Sequence, residues 1–257
     1  MDARRQWIAL CTLVRREVRR FMRIWTQTLL PPVITTTLYY LIFGALIGPR
    51  IGPMGGVPYI QYIAPGLIMM SVITNAYSNV VSSFYGAKFQ RNIDEMLVSP
   101  MPNAIIVLGF VIGGIARALC VGAAVTVVSL LFTDLTIHHL AVVVSTAVLT
   151  AALFSLAGLV NAIFANSFDD INIVPTFVLT PLIYLGGVFY SIEVLPAFWR
   201  SVSLFNPMLY MVNVFRYGVL GVSDVQVVGA YAVMAGITAV LFLLNLYLLE
   251  RSSSLRS

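Results

Sequence analysis

Polar and apolar positions are patterned on two scales along this chain. On the long scale, charge vanishes for whole intervals: none occurs between Arg23 and Arg50, between Arg50 and Lys88, or between Asp170 and Glu193. A helix needs about twenty consecutive apolar residues to cross a hydrocarbon core of about 30 Å. The runs predict six transmembrane helices, near residues 28–47, 60–85, 104–132, 140–164, 173–189 and 226–249. Turn chemistry separates them. Gly48-Pro49, Gly52-Pro53 and Gly55-Gly56 break the first connection, and Ser99-Pro100 with Pro102 precedes the third helix.

On the short scale, Trp7, Cys11, Val14, Val18, Phe21 and Trp25 recur at four- and three-residue steps. That is a narrow apolar stripe at helical period, with seven arginines off it, and it predicts an amphipathic interfacial helix over residues 4–25. Each basic residue near an anionic leaflet contributes about 1 kcal/mol. The helix is an anchor that sets topology, a brace that carries force to the first span, or both.

Residues 190–225 fit neither scale. They are apolar (Phe198, Trp199, Phe205, Tyr210, Phe215) yet interrupted by Pro196, Arg200, Pro207 and Arg216. A seventh span here would carry Arg251 and Arg256 to the outer side. A re-entrant helical pair in the outer leaflet, packed against protein, satisfies both the pattern and the backbone.

Composition narrows the class. Of 257 residues, 60% are apolar and 10% charged, against about a quarter charged in a soluble domain. The fold class expected is an all-α integral membrane protein, one transmembrane domain over residues 1–257, with no room for a soluble catalytic domain. Lysine and arginine placement sets the orientation. Eleven of these residues fall on one side (Arg4, Arg5, Arg15, Arg16, Arg19, Arg20, Arg23, Lys88, Arg91, Arg251, Arg256) and three on the other (Arg50, Arg200, Arg216). Both termini are therefore expected in the cytoplasm. The net charge of +5 is a topology signal and not a nucleic-acid footprint. The arginine-rich start precedes an apolar run too long for a signal peptide and lacks a small-residue cleavage site, so no secretory leader is expected. Cys11 and Cys120 are expected to be reduced, packed thiols, too far apart in sequence to imply a bridge.

Catalytic chemistry is missing from the pattern. The one lysine, Lys88, precedes Phe89, so no phosphate-binding loop ending in Lys-Ser or Lys-Thr exists. Neither H-E-x-x-H nor G-x-S-x-G occurs. His138-His139 is a neighbouring pair in a short outer loop, a poor geometry for converging on one metal. Asp94-Glu95 and Asp169-Asp170 fall in inner loops, and Ser167-Phe168-Asp169-Asp170 matches an S-x-x-D helix start. The chain is not expected to be an enzyme by itself, nor to hold a cofactor or metal.

Three features carry function candidates. The inner loop 88–102, KFQRNIDEMLVSPMP, can form a short helix between Phe89 and Val98, with Phe89, Ile93, Met96 and Leu97 on one side and Arg91, Asp94 and Glu95 on the other. Such a helix suits docking into a groove on a soluble partner, or is a solvated loop. Arg117 falls midway along the third span, at an insertion cost of about 3 kcal/mol. It either lines a wet cavity or snorkels to the inner face. The second span carries Ser71, Thr74, Asn75, Ser78, Asn79 and Ser82, which are helix-to-helix glue or the wall of a path.

These segments resemble one family. FMRIWTQTLLPPVIT at 21–35, PGLIMMSVITNAYSN at 65–79, FYGAKFQRNIDEMLVSP at 84–100 and LGGVFYSIEVLPAFWRSVSLFNPMLYMVNVFRYG at 185–218 are similar to the membrane subunits of type-2 ABC exporters, in particular to a short bacterial branch of these permeases. The resemblance spans nearly the whole chain. It implies a homodimer of permeases in the bacterial inner membrane, with two copies of a separate ABC ATPase beneath, where ATP and Mg would bind. It further implies that loop 88–102 (Lys88, Phe89, Arg91, Asp94, Glu95) is the main coupling element, with residues 168–172 (Asp169, Asp170) as a second contact. Asn75, Asn79 and Arg117 are then candidates for the translocation path at the dimer interface, and Pro196, Asn206, Pro207 and Arg216 for an outer gate. The rival class is a stand-alone channel or ion-coupled carrier. Ion-coupled carriers usually place carboxylates inside the membrane, whereas the acidic residues here are expected in loops or at span ends. The substrate (glycan, lipid, drug or metabolite) is not encoded in any of these patterns.

Overall fold

The computed structural model describes residues 2–251. Among these the chain is helical throughout, with no strand. Helix α1 (Ala3–Arg23) ends at Ile24, whose backbone leaves helical geometry. The first span then starts as α2 (Trp25–Tyr39), continues as a π-helical segment (Tyr40–Ile47) and finishes in one turn, α3 (Gly48–Ile51). Helices α4 (Tyr59–Phe89), α6 (Asn103–Phe132) and α7 (Leu140–Phe164) are the second to fourth spans, with the short α5 (Asn92–Val98) between α4 and α6. The fifth apolar segment is α8 (Asp170–Val174), a π turn (Pro175–Leu179) and α9 (Thr180–Leu185). A single 3-10 turn (Ile192–Val194), α10 (Ala197–Leu204) and α11 (Pro207–Leu220) precede the last span, α12 (Val227–Arg251).

Five helices are long and apolar enough to cross a membrane: 25–51, α4, α6, α7 and α12. The predicted fifth, 173–189, is corrected to a shorter and broken helix, Asp170–Leu185. At about 1.5 Å per residue its sixteen positions reach about 24 Å, less than a full core. Pro175 and Pro181 explain the break, since each removes a backbone donor. The Thr180 hydroxyl donates to the Pro175 carbonyl at 2.9 Å, a side-chain substitute of the kind that makes such breaks tolerable in lipid.

The core is α4, wrapped by α6 and α7. Tyr62, Ile63, Met69, Ile73, Tyr77 and Phe84 of α4 are essentially inaccessible. Contact is close because small residues let backbones approach: a Cβ on Gly158 of α7 would stand 2.7 Å from the Tyr77 carbonyl oxygen. Helix α12 adds to the outside of α7, where the Asn245 amide donates to the Leu156 carbonyl at 3.1 Å.

Helix α1 also joins the bundle. Leu13 sits on Gly109 and Glu17 on Gly113, one turn apart on both helices, so α1 and α6 run alongside each other there. The buried face is Leu13, Glu17 and Phe21. Of the predicted stripe, Trp7, Cys11 and Trp25 are exposed, so the face that packs on protein is a second one that the stripe shares only at Phe21. Cys11 and Cys120 are free and both exposed, not packed.

Candidate functional site

Four neighbourhoods gather the candidate residues. The first is the end of the bundle where α4 and α7 stop and α6 begins. Arg91 adopts a left-handed backbone (φ 61°) that turns the chain from α4 into α5. In α5, Ile93 is buried and Met96 and Leu97 pack against the core, while Glu95 is exposed and Asp94 half-buried. Phe89 is not part of that packed side. It closes α4, stands 66% exposed, and meets Phe168 edge-on with ring centroids 5.2 Å apart. Phe168 also packs on Tyr85 at 4.9 Å. Two loops distant in sequence thereby form one exposed aromatic surface, flanked by Arg91, Asp94, Glu95 and Asp169.

Two candidates there are tied up in holding backbone. The Lys88 ammonium donates to the Ile163 and Ala165 carbonyls, each at 2.9 Å, and so satisfies the C-terminal end of α7. Asp170 forms a reciprocal cap: its carboxylate accepts from the Asn166 and Ser167 amides at 2.8 and 3.0 Å, and its amide donates to the Ser167 hydroxyl at 3.1 Å. The Asn166 amide above all, with Ser167, holds this carboxyl below the usual range. Both residues shape the loops rather than present charge.

The second neighbourhood is a groove of about 190 Å³ between the first span and α4, lined by Pro31, Pro32, Thr35, Thr36 and Tyr39 on one wall and Leu67, Met70, Ser71 and Thr74 on the other. Ser71, Thr74, Ser78 and Ser82 step along this side of α4, and the last three are at least partly exposed. Tyr39 reaches across to α9, its hydroxyl 2.9 Å from that of Tyr184, within an aromatic group completed by Phe43 and Phe189. Asn75 and Asn79 lie off this row. Asn75 is buried and donates to the Ser71 carbonyl one turn back.

The third neighbourhood is where Asn79 goes. It is fully buried beneath α1, where the Arg20 guanidinium donates to its side-chain and backbone oxygens at 2.7 and 3.0 Å. Arg20 also pairs with Glu17 at 3.3 Å, Arg16 pairs with it at 3.4 Å, and the Ser83 hydroxyl donates to the same carboxylate. Glu17 is 1% exposed. The expectation that the acidic residues lie in loops or at span ends is corrected here: one carboxylate, Glu17, lies inside the bundle. Its signal was available as the i, i+4, i+8 series Leu13, Glu17, Phe21. Arg117 continues the Gly109, Gly113 strip of α6, and its Nε finds no hydrogen-bond partner.

The fourth is the re-entrant stretch, which forms α10 and α11. Asn206 caps α11, accepting from the Met208 amide at 3.0 Å, and reaches back to the Leu182 carbonyl at 2.6 Å. Pro207 occupies the first helical position, where its missing amide costs nothing. Pro196 starts α10 at the surface, with Phe198, Trp199 and Phe205 exposed beyond it. Arg216 is fully buried. It donates to the Gly187 carbonyl at 2.6 Å and to Asn213 at 3.3 Å, and lies 4.0 Å from the Tyr62 ring centroid. Tyr62 and the Ile192 amide both donate to Asp224, which closes the network. One arginine thus ties α11 to α4 and to the loop after α9.

Comparison with known proteins agrees with this architecture. A family model described as ABC-2 type transporter matches residues 8–220. The chain is 57% identical over 251 residues to the inner membrane transport permease YadH of Escherichia coli strain K12, covering 98% of each chain. It is 28% identical over 249 residues to nodulation protein J of Rhizobium leguminosarum bv. trifolii, covering 95% of this chain and 93% of that one. With nodulation protein J of Rhizobium meliloti strain 1021 the identity is 24% over 246 residues, covering 95% and 93%.

Proposed function

The chain belongs to the ABC-2 type transporter family, and from that premise we propose that it is the membrane-spanning half of an ATP-driven exporter of the bacterial inner membrane. In this reading both termini and α5 face the cytoplasm, two copies pair, and two separate ABC ATPase subunits bind at the α5 end. ATP and Mg belong to those partners, in keeping with the lack of a phosphate-binding loop here.

The observation that carries the reading is the joint surface of Phe89 and Phe168. Two large aromatic rings, 66% and 52% exposed, meet edge-on at the end of the bundle richest in loop charge. Apolar exposure outside the spans marks an interaction surface. Ile93, Met96 and Leu97 anchor α5 to the core, so a push on that surface is transmitted to α4 and α7 together. Arg91, Asp94, Glu95 and Asp169 form its charged rim.

The transported molecule would move outward along the groove between the first span and α4. The row there is Thr74, Ser78 and Ser82, at least partly open, with the buried Ser71 at its head, opposite Thr35 and Tyr39. The proposal for the path therefore shifts to this row from Asn75 and Asn79, which point into protein. The α10–α11 pair, tied down by Arg216, would form the outer gate.

Co-expression with the ATPase encoded alongside tests the partner assignment. Phe89→Asp combined with Phe168→Asp should abolish co-purification in mild detergent while leaving the permease in the membrane. Undiminished association would remove the coupling assignment, and failure of the parent chain to retain any ATPase would remove the exporter reading.

A further inference from the structure

The seam between α1 and α6 has more hydrogen-bond donors than acceptors. Its carboxylate, Glu17, is fully engaged by Ser83, Arg16 and Arg20. Arg20 spends two further hydrogen bonds on Asn79, which fixes the amide with its oxygen toward Arg20 and its Nδ2 away. That Nδ2 is buried without a partner, and so is the Nε of Arg117. Both face the same strip of α6: Asn79 Nδ2 would lie 3.9 Å from a Cβ on Gly113, and Arg117 is one turn further along. Arg20 is the charged neighbour that acts on Arg117, and it carries the same sign. Among the described residues, three arginines stand here against one carboxylate.

Depth sharpens the imbalance. Arg117 is fourteen residues from the start of α6, about 21 Å along the helix, and its side chain leans back toward that start. Asn79 is ten residues from the end of α4, about 15 Å. Arg117 thus lies near the middle of α6, about one turn deeper than Asn79, and the cluster extends from there toward the α5 end. An unpaired guanidinium beside a second one in the membrane is strongly unfavourable unless an anion lies between them. Access exists, because Arg20 is one-third exposed and Arg117 only partly buried.

We infer that Arg20 and Arg117, set over the buried Asn79, form a binding site for the phosphate group of an amphipathic molecule entering from the leaflet nearer α5. A phosphate supplies several acceptor oxygens and negative charge together, which matches a pair of forked guanidinium groups. Met22 and Ile24, exposed beside Arg20 in the chain, give the site an apolar border suited to an alkyl chain.

Native mass spectrometry of the full chain in mild detergent tests this, with dodecyl phosphate as probe and the uncharged dodecyl maltoside as reference. The intact protein should retain dodecyl phosphate preferentially. Arg117→Gln should weaken that retention by roughly tenfold or more, as loss of a charge-assisted hydrogen bond does, while Arg50→Gln at the opposite end leaves it unchanged. Phosphatidylglycerol bound with the same dependence on Arg117 identifies a resident lipid. Dodecyl phosphate bound with no retention of phosphatidylglycerol identifies a single-chain phosphate of the cargo kind. Equal retention by Arg117→Gln and the parent overturns the site. So does an absence of preference in the unsubstituted protein, a result that needs no variant to fold. Arg117→Lys, which keeps the charge and loses the fork, should show intermediate retention, and retention equal to the parent would count against forked recognition.

Discussion

The first and last spans are almost equally unburied, yet they expose different chemistry. In their most apolar stretches, 17% of the residues are buried in the first and 11% in the last. Helix α12 shows its surroundings Val228, Val233, Val240, Leu243 and Leu244. The first span shows Thr26, Gln27, Pro31 and Thr35 among its apolar residues, and it is interrupted by Pro31-Pro32 and a π-helical segment. Low burial therefore has two meanings here. On α12 it marks a surface already matched to lipid, pinned by one buried asparagine. On the first span it marks a surface with hydrogen-bonding groups that hydrocarbon leaves unsatisfied. That face suits a second subunit or a polar path, and its irregular backbone suits movement.

The sharpest way to break this contrast is a carboxylate on each face. Val240→Asp, near the middle of α12, should cost about 3 kcal/mol of insertion and sharply reduce the membrane-integrated fraction. Thr35→Asp should be recovered at close to the parental level. Equal losses in membrane-fraction yield would erase the distinction. A smaller effect follows from the pin on α12. Asn245→Ala removes its hydrogen bond to Leu156, and thermal unfolding in detergent should register a loss of about 1–3 kcal/mol. An unchanged unfolding midpoint would mean that packing and the Tyr231 hydrogen bonds to α7 hold α12 without it. The mildest test leaves stability untouched. With Cys11 and Cys120 replaced, a cysteine substitution at Thr35 should form an oxidative dimer in membranes, and one at Val240 should not. The reverse outcome would move the subunit interface to α12.

Membrane class, the long spans and the break of residues 190–225 into short helices were all legible along the chain. Charge-free runs and proline interruptions are local properties, and lipid enforces them strictly. The S-x-x-D cap at Ser167 and Asp170 was legible for the same reason. The fifth helix was legible in place but not in length, because two prolines shorten it. The neighbourhoods of Asn79 and Lys88 were not legible. A buried amide and an open-facing serine occupy the same helix one residue apart at Ser78 and Asn79, and helical period alone gives no zero angle for the core.

By itself the sequence determined that the chain is an all-helical membrane protein and where its long apolar helices lie. Each follows from the cost of charge and unpaired backbone in hydrocarbon, which acts residue by residue. Only the tertiary structure decided which side chains meet: Phe89 with Phe168, Arg216 with Tyr62 and Gly187, and Arg20 with Asn79 over the glycine strip of α6. Those encounters depend on how closely whole helices approach and at what rotation. Both are set by the packing of every neighbour at once.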